Sequence, residues 1–345
     1  MAHHPNTGVG GHSSCPRSDA RSVNSPETTS SPRLIALFGS GVTGDRIAKR
    51  LPLVAPGCRI VPIDARGDIR KAEQCDVAVL AHGGLHLEVA SRLIERGVGV
   101  VSITDDMAEV RGLVDLDDRA RAHDVSVVVG AGMWPGLTDL LARYLADQLD
   151  VCDEIHIAVH GTAGPACAHQ LHSALSGSAF GLHDGTRISR PAGSGRELCW
   201  FPEPVGAYDC YRANLSSPVL LHETFPQVQR ISARVSANRR DRLTARLPML
   251  SPPHQEGGVG AVRVEVRGSS ADGHRQTLIA GVAELVGTSA AATATAFAGA
   301  LLDGTLPAGS VTTGDERLPT LDLLRTIERL GVRLQEFTGV PTGQV

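Results

Sequence analysis

A chain of 345 residues, 42% of them hydrophobic, is long enough for two domains with cores of their own. A formal net charge of −4 excludes the basic footprint of a nucleic-acid binder. No apolar run approaches the roughly 20 residues of a membrane-crossing helix.

Aromatic residues make up only 3%, so packing must rest on Val, Leu, Ile and Ala. The seven cysteines are odd in number and form no C-x-x-C pair, which reads as reduced thiols in a cytoplasmic protein rather than a disulfide framework. Lysine occurs only at Lys49 and Lys71, both in the first third of the chain, which argues against a Schiff-base mechanism in the second half. Residues 1–32 are rich in Ser, Pro, Thr, Gly and His and have almost nothing to bury, so a disordered leader is expected, with no signal-peptide apolar region. His3, His4 and His12 belong to that solvated tail.

The periodic pattern starts with a strand at Leu34–Phe38. Gly39-Ser40-Gly41-Val42-Thr43-Gly44 follows, then a helix-compatible segment and a short strand, 58–63, ending at Asp64. A lone glycine triplet is weak evidence, but here strand, G-x-G-x-x-G, helix and distal acid come in the order of a dinucleotide fingerprint. Gly39 suits the tight turn, Gly41 the close approach of a pyrophosphate, and Gly44 the packing of helix on strand. The helix N-terminus supplies free N–H groups and a positive dipole end. Strands at 76–81, 98–103 and 125–129 alternate with helices after Leu85, at 113–123 and at 137–149, which predicts a doubly wound parallel sheet over residues 33–150.

After Asp150 the pattern changes. Ile155, Ile157 and Val159 alternate with His156, Ala158 and His160, and further strand-like runs lie at 197–201, 229–235, 261–267 and 276–286, with an irregular stretch at 239–260. This predicts an open, largely antiparallel sheet in a substrate and dimerisation domain over 151–318. Helices at 289–302 and 320–330 and a strand near 332–337 then close the chain. Residues 319–345 are expected to pack back on the first domain. The fold class expected is therefore α/β: a Rossmann domain followed by a second α/β domain.

The run Gly130-Ala131-Gly132-Met133-Trp134-Pro135-Gly136-Leu137-Thr138-Asp139-Leu140-Leu141-Ala142 resembles the G-x-G-x-x-P-G-L-x-x-L-L-A segment of saccharopine dehydrogenase-like oxidoreductases. The order of the fingerprint, of 75–81, of 97–102 and of Phe201-Pro202-Glu203-Pro204-Val205-Gly206 is similar too. The resemblance spans most of residues 33–337, closely in the first half and loosely in the second. It implies NAD or NADP as cofactor, a small amino-acid-like substrate, hydride transfer at a carbon–nitrogen or carbonyl carbon, and a homodimer. Trp134 stands where that family commonly has an Asp, and Gly130 where a Cys can occur, which points to a substrate other than saccharopine, and a less polar one.

Residue by residue, Asp64 favours the ribose hydroxyls of NAD, while Arg66 favours the extra phosphate of NADP. Ala81 and Gly83, past the third strand, lie on the edge where α/β sheets bind ligands. His82 beside them reads either as a proton donor or as a polar loop histidine. His86, four residues on, reads as its partner in a surface pair at the helix entry. His160 shares the polar face of its strand with His156 and is the second proton-donor candidate. Asp105 reads as an anchor for an ammonium group or as a helix-start acid, and Trp134, Pro135 and Gly136 as a substrate wall whose helix N-terminus faces a carboxylate. Arg187, Arg190, Arg196 and Arg212 are candidate carboxylate clamps. Cys167, His169 and His172 match no zinc spacing. Two other functional classes fit the same first half: a regulatory dinucleotide-binding protein without catalysis, and a sugar or semialdehyde dehydrogenase, which usually needs a lysine absent from this second half.

Overall fold

The computed structural model describes residues 32–64, 67–249 and 255–337, so the leader, with His3, His4 and His12, and Arg66 lie outside the described residues. The first half runs β1 (Leu34–Phe38), α1 (Val42–Val54), β2 (Arg59–Ile63), a 3-10 helix (Ile69–Gln74), β3 (Val77–Leu80), α2 (His86–Ile94), β4 (Gly99–Ser102), α3 (Met107–Val114), α4 (Asp117–Ala122), β5 (Ser126–Val129) and α5 (Leu137–Ala146). Every residue of β3, β4 and β5 is buried. A sheet covered on both faces needs such unbroken apolar strands. β2 is an edge strand, where the missing N–H of Pro62 costs no central ladder bond.

The expected helix 113–123 is two helices. No Gly or Pro breaks it. The break comes from a distant segment: Ser310 Oγ donates to the Leu113 carbonyl (2.6 Å) and Asp117 accepts the Ser310 N–H (2.9 Å).

The second half runs β6 (Val151–His160), α6 (Pro165–Ala174), β7 (Ser178–His183), β8 (Thr186–Pro191), β9 (Glu197–Trp200), β10 (Ala207–Arg212), α7 (Ser217–Thr224), β11 (Arg230–Ser236), α8 (Arg239–Thr244), β12 (Gly260–Ser269), β13 (Arg275–Glu284), α9 (Val286–Leu302), β14 (Gly309–Thr312), α10 (Thr320–Arg329) and β15 (Gln335–Glu336). Two sheets result. The first is parallel, in the order β14-β5-β4-β3-β1-β2. The second is mixed and mostly antiparallel, in the order β15-β13-β12-β6-β11-β10-β9, with β7 and β8 attached at β11 and a parallel β6–β11 pair. The α/β class, a parallel Rossmann-like sheet plus a mostly antiparallel second sheet, is what the pattern led one to expect.

Two segments read with the second sheet sit on the first. β14 pairs in parallel with β5, and α9 packs against α1, β3 and β4. α9 is built mostly of Ala, Thr, Gly and Ser, nearly all buried, and Gly299 lets the backbone reach Val54 of α1, to which an added Cβ would lie 3.1 Å away. At the chain end α10 packs on α9 and α5, while β15 joins β13 of the second sheet. Helices α2, α3 and α4 cover the outer face of the first sheet, and α1, α5 and α9 lie in the core shared by the two sheets. A part-buried ion pair links the halves: Arg46 of α1 donates to Glu256 (2.6 Å), whose same oxygen accepts the Gly287 N–H at the start of α9 (2.9 Å).

α5 carries an apolar face of Leu137, Leu140, Leu141 and Leu145, and also buries Asp139 completely. Thr138 Oγ1 donates to Asp139 Oδ1 at 2.9 Å, while Oδ2 has no partner among the described residues. Burial pushes this carboxyl up to about 7. An acid with a raised folded pKa binds more protons folded than unfolded. Its stabilisation is complete below the unfolded value of about 3.9 and is lost as pH rises through 7. Denaturant titrations should therefore show stability falling between about pH 4 and pH 7. Asp139→Asn should remove much of that slope and exceed the wild type at pH 8 by up to about 4 kcal/mol. Asp105, raised for the same reason, keeps the remainder. An unchanged slope in the variant would refute this role for Asp139.

Candidate active site

From β1 the chain steps outward to β2 and then returns across to β3, so the strand order reverses between β1 and β3. Open α/β sheets bind ligands at such a switch point, beyond the carboxyl ends of the strands. Here a cleft of about 710 Å³ opens, lined by the glycine loop, by the ends of β3 and β4, and by Gly132, Met133 and Trp134 after β5. Gly39 has φ +100°, and an added Cβ would lie 2.5 Å from the Ala81 carbonyl oxygen. At Gly44 a Cβ would lie 2.1 Å from the Gly39 carbonyl oxygen. Those two glycines serve the fold. Gly41 differs: its φ of −81° suits any residue, and a Cβ there would meet nothing within 4 Å. It is the N-cap of α1, no side chain caps that helix, and Ser40, Val42 and Thr43 line the cleft beside it. The loop thus presents bare backbone and an uncapped helix start, which is the cradle a pyrophosphate needs. Asp64 is exposed at the end of β2, where its carbonyl accepts the Gly67 N–H (2.7 Å).

Ala81, His82 and Gly83 line the cleft. The half-buried His82 ring stacks on His86 at 4.7 Å between centroids and lies 5.8 Å from Phe38. His82 Nδ1 is 3.0 Å from His86 Nε2, which is itself 2.8 Å from the His82 carbonyl oxygen, and His86 Nδ1 is 2.7 Å from Ser102 Oγ. Burial lowers the pKa of His82, and that of His86 to about 4. His86 is therefore not half of a surface pair. It is fully buried behind His82, because α2 turns its first residue inward toward β4.

Asp105, Asp106 and Glu109 also line the cleft, and two of the three have structural duties. Asp106 caps α3, accepting the Ala108 and Glu109 N–H groups at 2.9 and 3.0 Å, and Glu109 accepts the Leu87 N–H at 2.7 Å. Asp105 has no such duty. Burial pushes it up to about 7, with Gln170 of α6 alongside. A carboxyl titrating near neutrality inside a cleft is a candidate functional group.

Trp134 lines the cleft, whereas Pro135 and Gly136 are buried behind it and do not. The start of α5 is not free for a substrate carboxylate. The Leu137 and Thr138 N–H groups already bond the Gly132 and Met133 carbonyls, at 3.1 and 3.2 Å.

The opposite wall comes from the second half: Ala163, Gly164, Pro165, Ala166, Cys167 and Gln170, with Val286 and Ala290 of α9. The Gly-Pro at 164–165 was the one sequence signal for α6, whose N-terminus also lacks a side-chain cap. Burial pushes the Cys167 thiol up to about 12, so it stays protonated.

His160 is not among the cleft-lining residues. Its ring lies tilted against Tyr208 (4.2 Å between centroids) and Phe201 (5.9 Å) and shares a hydrogen bond with Ser236 Oγ (2.8 Å), on the sheet face that His156 also occupies. The four clamp candidates lie elsewhere as well: Arg196 pairs with Asp209 (2.9 Å), Arg187 sits over Phe180, and Arg190 and Arg212 line a groove beside β7 and β11. Among the described residues no group of three His, Cys, Asp or Glu side chains could hold a metal, and no helix is long and apolar enough to cross a membrane.

No protein-family model and no curated protein matches this chain. Solved structures do. Apo saccharopine dehydrogenase (L-Glu forming) from Saccharomyces cerevisiae is 13% identical with a TM-score of 0.62, over 89% of this chain and 100% of that one. DAP dehydrogenase from C. glutamicum, in complex with DAP, is 16% identical with a TM-score of 0.50, over 84% and 95%. At such identities the likeness is one of architecture: the chain has the fold of the yeast saccharopine dehydrogenase along nearly its whole described length.

Proposed function

We propose that the protein is an NAD(P)-dependent oxidoreductase acting at a carbon–nitrogen or carbonyl carbon of a small amino-acid-like substrate. The observation that carries the reading is Gly41, a glycine that neither backbone strain nor packing requires, at the uncapped start of a helix facing the cleft. Residues 39–44 would hold the pyrophosphate, and Asp64 would accept the adenosine ribose hydroxyls, favouring NAD over NADP. The nicotinamide, when bound, supplies or accepts the hydride. The chain's own residues do the rest. Trp134, Met133 and the α6 wall exclude water, and the His82 imidazole donates a hydrogen bond to the reacting carbonyl oxygen or imine nitrogen. Asp105, in the same cleft, anchors an amine or carries the proton that balances hydride movement. His160 has no part in this reading, because it lies outside the cleft.

The reading is tested by fluorescence titration of the protein with NADH and NADPH, followed by screens of imines, amino acids and keto acids. Saturable binding, tighter for NADH, is expected. Failure of both nucleotides to bind would overturn the proposal. Tight binding without hydride transfer to any of these compounds would favour a regulatory dinucleotide-binding protein instead.

A further inference from the structure

We infer that His86 and Ser102 are positioning residues that hold the His82 imidazole as its Nε2–H tautomer, leaving that proton free for a ligand in the cleft. The His82 backbone oxygen can only accept, and it lies 2.8 Å from His86 Nε2, so that nitrogen carries a hydrogen. His86 is fully buried with no carboxylate bonded to it, so it is neutral and its Nδ1 is bare. Ser102 Oγ, at 2.7 Å, must then donate to Nδ1, and its lone pairs remain for the Thr104 N–H at 3.3 Å.

The consequence passes to His82. Its Nδ1 lies 3.0 Å from the same His86 N–H. Two N–H groups cannot face each other at that distance, so Nδ1 of His82 accepts and its single proton sits on Nε2. The reverse polarity, with His82 Nδ1–H donating to a bare His86 Nε2, would press the His86 lone pair against the carbonyl oxygen. Adding a second proton to His82 meets the same obstacle, because Nδ1–H would face Nε2–H. His82 is therefore held neutral, although Glu109 of α3 favours its charged form and Asp105 and Asp106 line the same cleft. His82 Nε2 has no partner among the described residues. A neutral imidazole with one free N–H is suited to polarise a carbonyl or imine by donating a hydrogen bond to its oxygen or nitrogen. That last consequence rests on the proposed function; the tautomer does not.

The test is nitrogen-15 NMR of the histidine rings in the full chain, with the His82 signals assigned by loss in His82→Gln. Between pH 6 and pH 8 the wild type should show His82 neutral and protonated at Nε2. His86→Gln, which keeps an amide N–H donor, should retain that tautomer. His86→Phe should give a mixture and raise the His82 titration midpoint by about one pH unit. A wild-type His82 protonated at Nδ1, or averaged between tautomers, overturns the inference even if the His86 variants fail to fold. That result would leave nucleotide binding untouched, and absent nucleotide binding would leave the tautomer untouched, so the two failures are distinguishable.

Discussion

Replacing Gly41 by aspartate should weaken dinucleotide binding by roughly 100-fold or more, about 2.7 kcal/mol, while the unfolding midpoint stays where it is. The two halves of this expectation have separate causes. Nothing in the protein lies within 4 Å of a Cβ at Gly41 and its φ is −81°, so the fold tolerates the side chain. A ligand does not, because the added carboxylate fills the approach to the helix start and repels phosphate at the site where the dipole would attract it. Gly44→Ala is the contrasting control. Its Cβ would lie 2.1 Å from a backbone oxygen, so stability falls before binding can be measured. Nucleotide affinity in Gly41→Asp equal to that of the wild type would remove the glycine loop from the proposed site.

The second large effect is structural. Gly136→Ala should cost on the order of 3–5 kcal/mol and leave little folded protein at 37 °C. Gly136 has φ +131°, and a Cβ would lie 2.1 Å from Gly132 O and 2.6 Å from Gly132 N. All three are backbone features, so no side-chain rotation relieves them. The tight turn they form starts α5, whose leucines sit in the core between the two sheets. A denaturant midpoint close to that of the wild type would show that the turn can be rebuilt.

These two glycines also mark how far sequence could be read. Both stand in conspicuous motifs, and by sequence both read as ligand-facing. Only an explicit Cβ separates them: Gly41 opens on the cleft, whereas Gly136 serves the turn behind Trp134. The histidines show the same limit. Period-two alternation correctly put His156 and His160 on one face of β6, each bonded to a serine of β11, but α5 packs on the opposite face, that of Ile155, Ile157 and Val159, and leaves the histidines outside the cleft. Four-residue spacing paired His82 with His86, yet it could not tell an exposed helix entry from one turned inward against Ser102.

The parallel sheet was legible because strands buried on both faces need unbroken apolar runs, and the glycine fingerprint because its turn, its close approach and its helix start demand particular residues at particular spacings. Those constraints are local, so the sequence carries them by itself. β14 is four residues with little pattern, and α6 is short with polar and apolar residues mixed. β14 is an edge strand of the parallel sheet, and α6 closes the cleft. Their places depend on contacts between residues far apart in the chain: Ser310 with Leu113 and Asp117, and Gln170 with Asp105. The sequence alone determined a Rossmann-like sheet with a glycine loop fit for a dinucleotide. The tertiary structure alone decided which acid, which histidine and which wall face that loop, because burial and hydrogen-bond partners are properties of the packed chain.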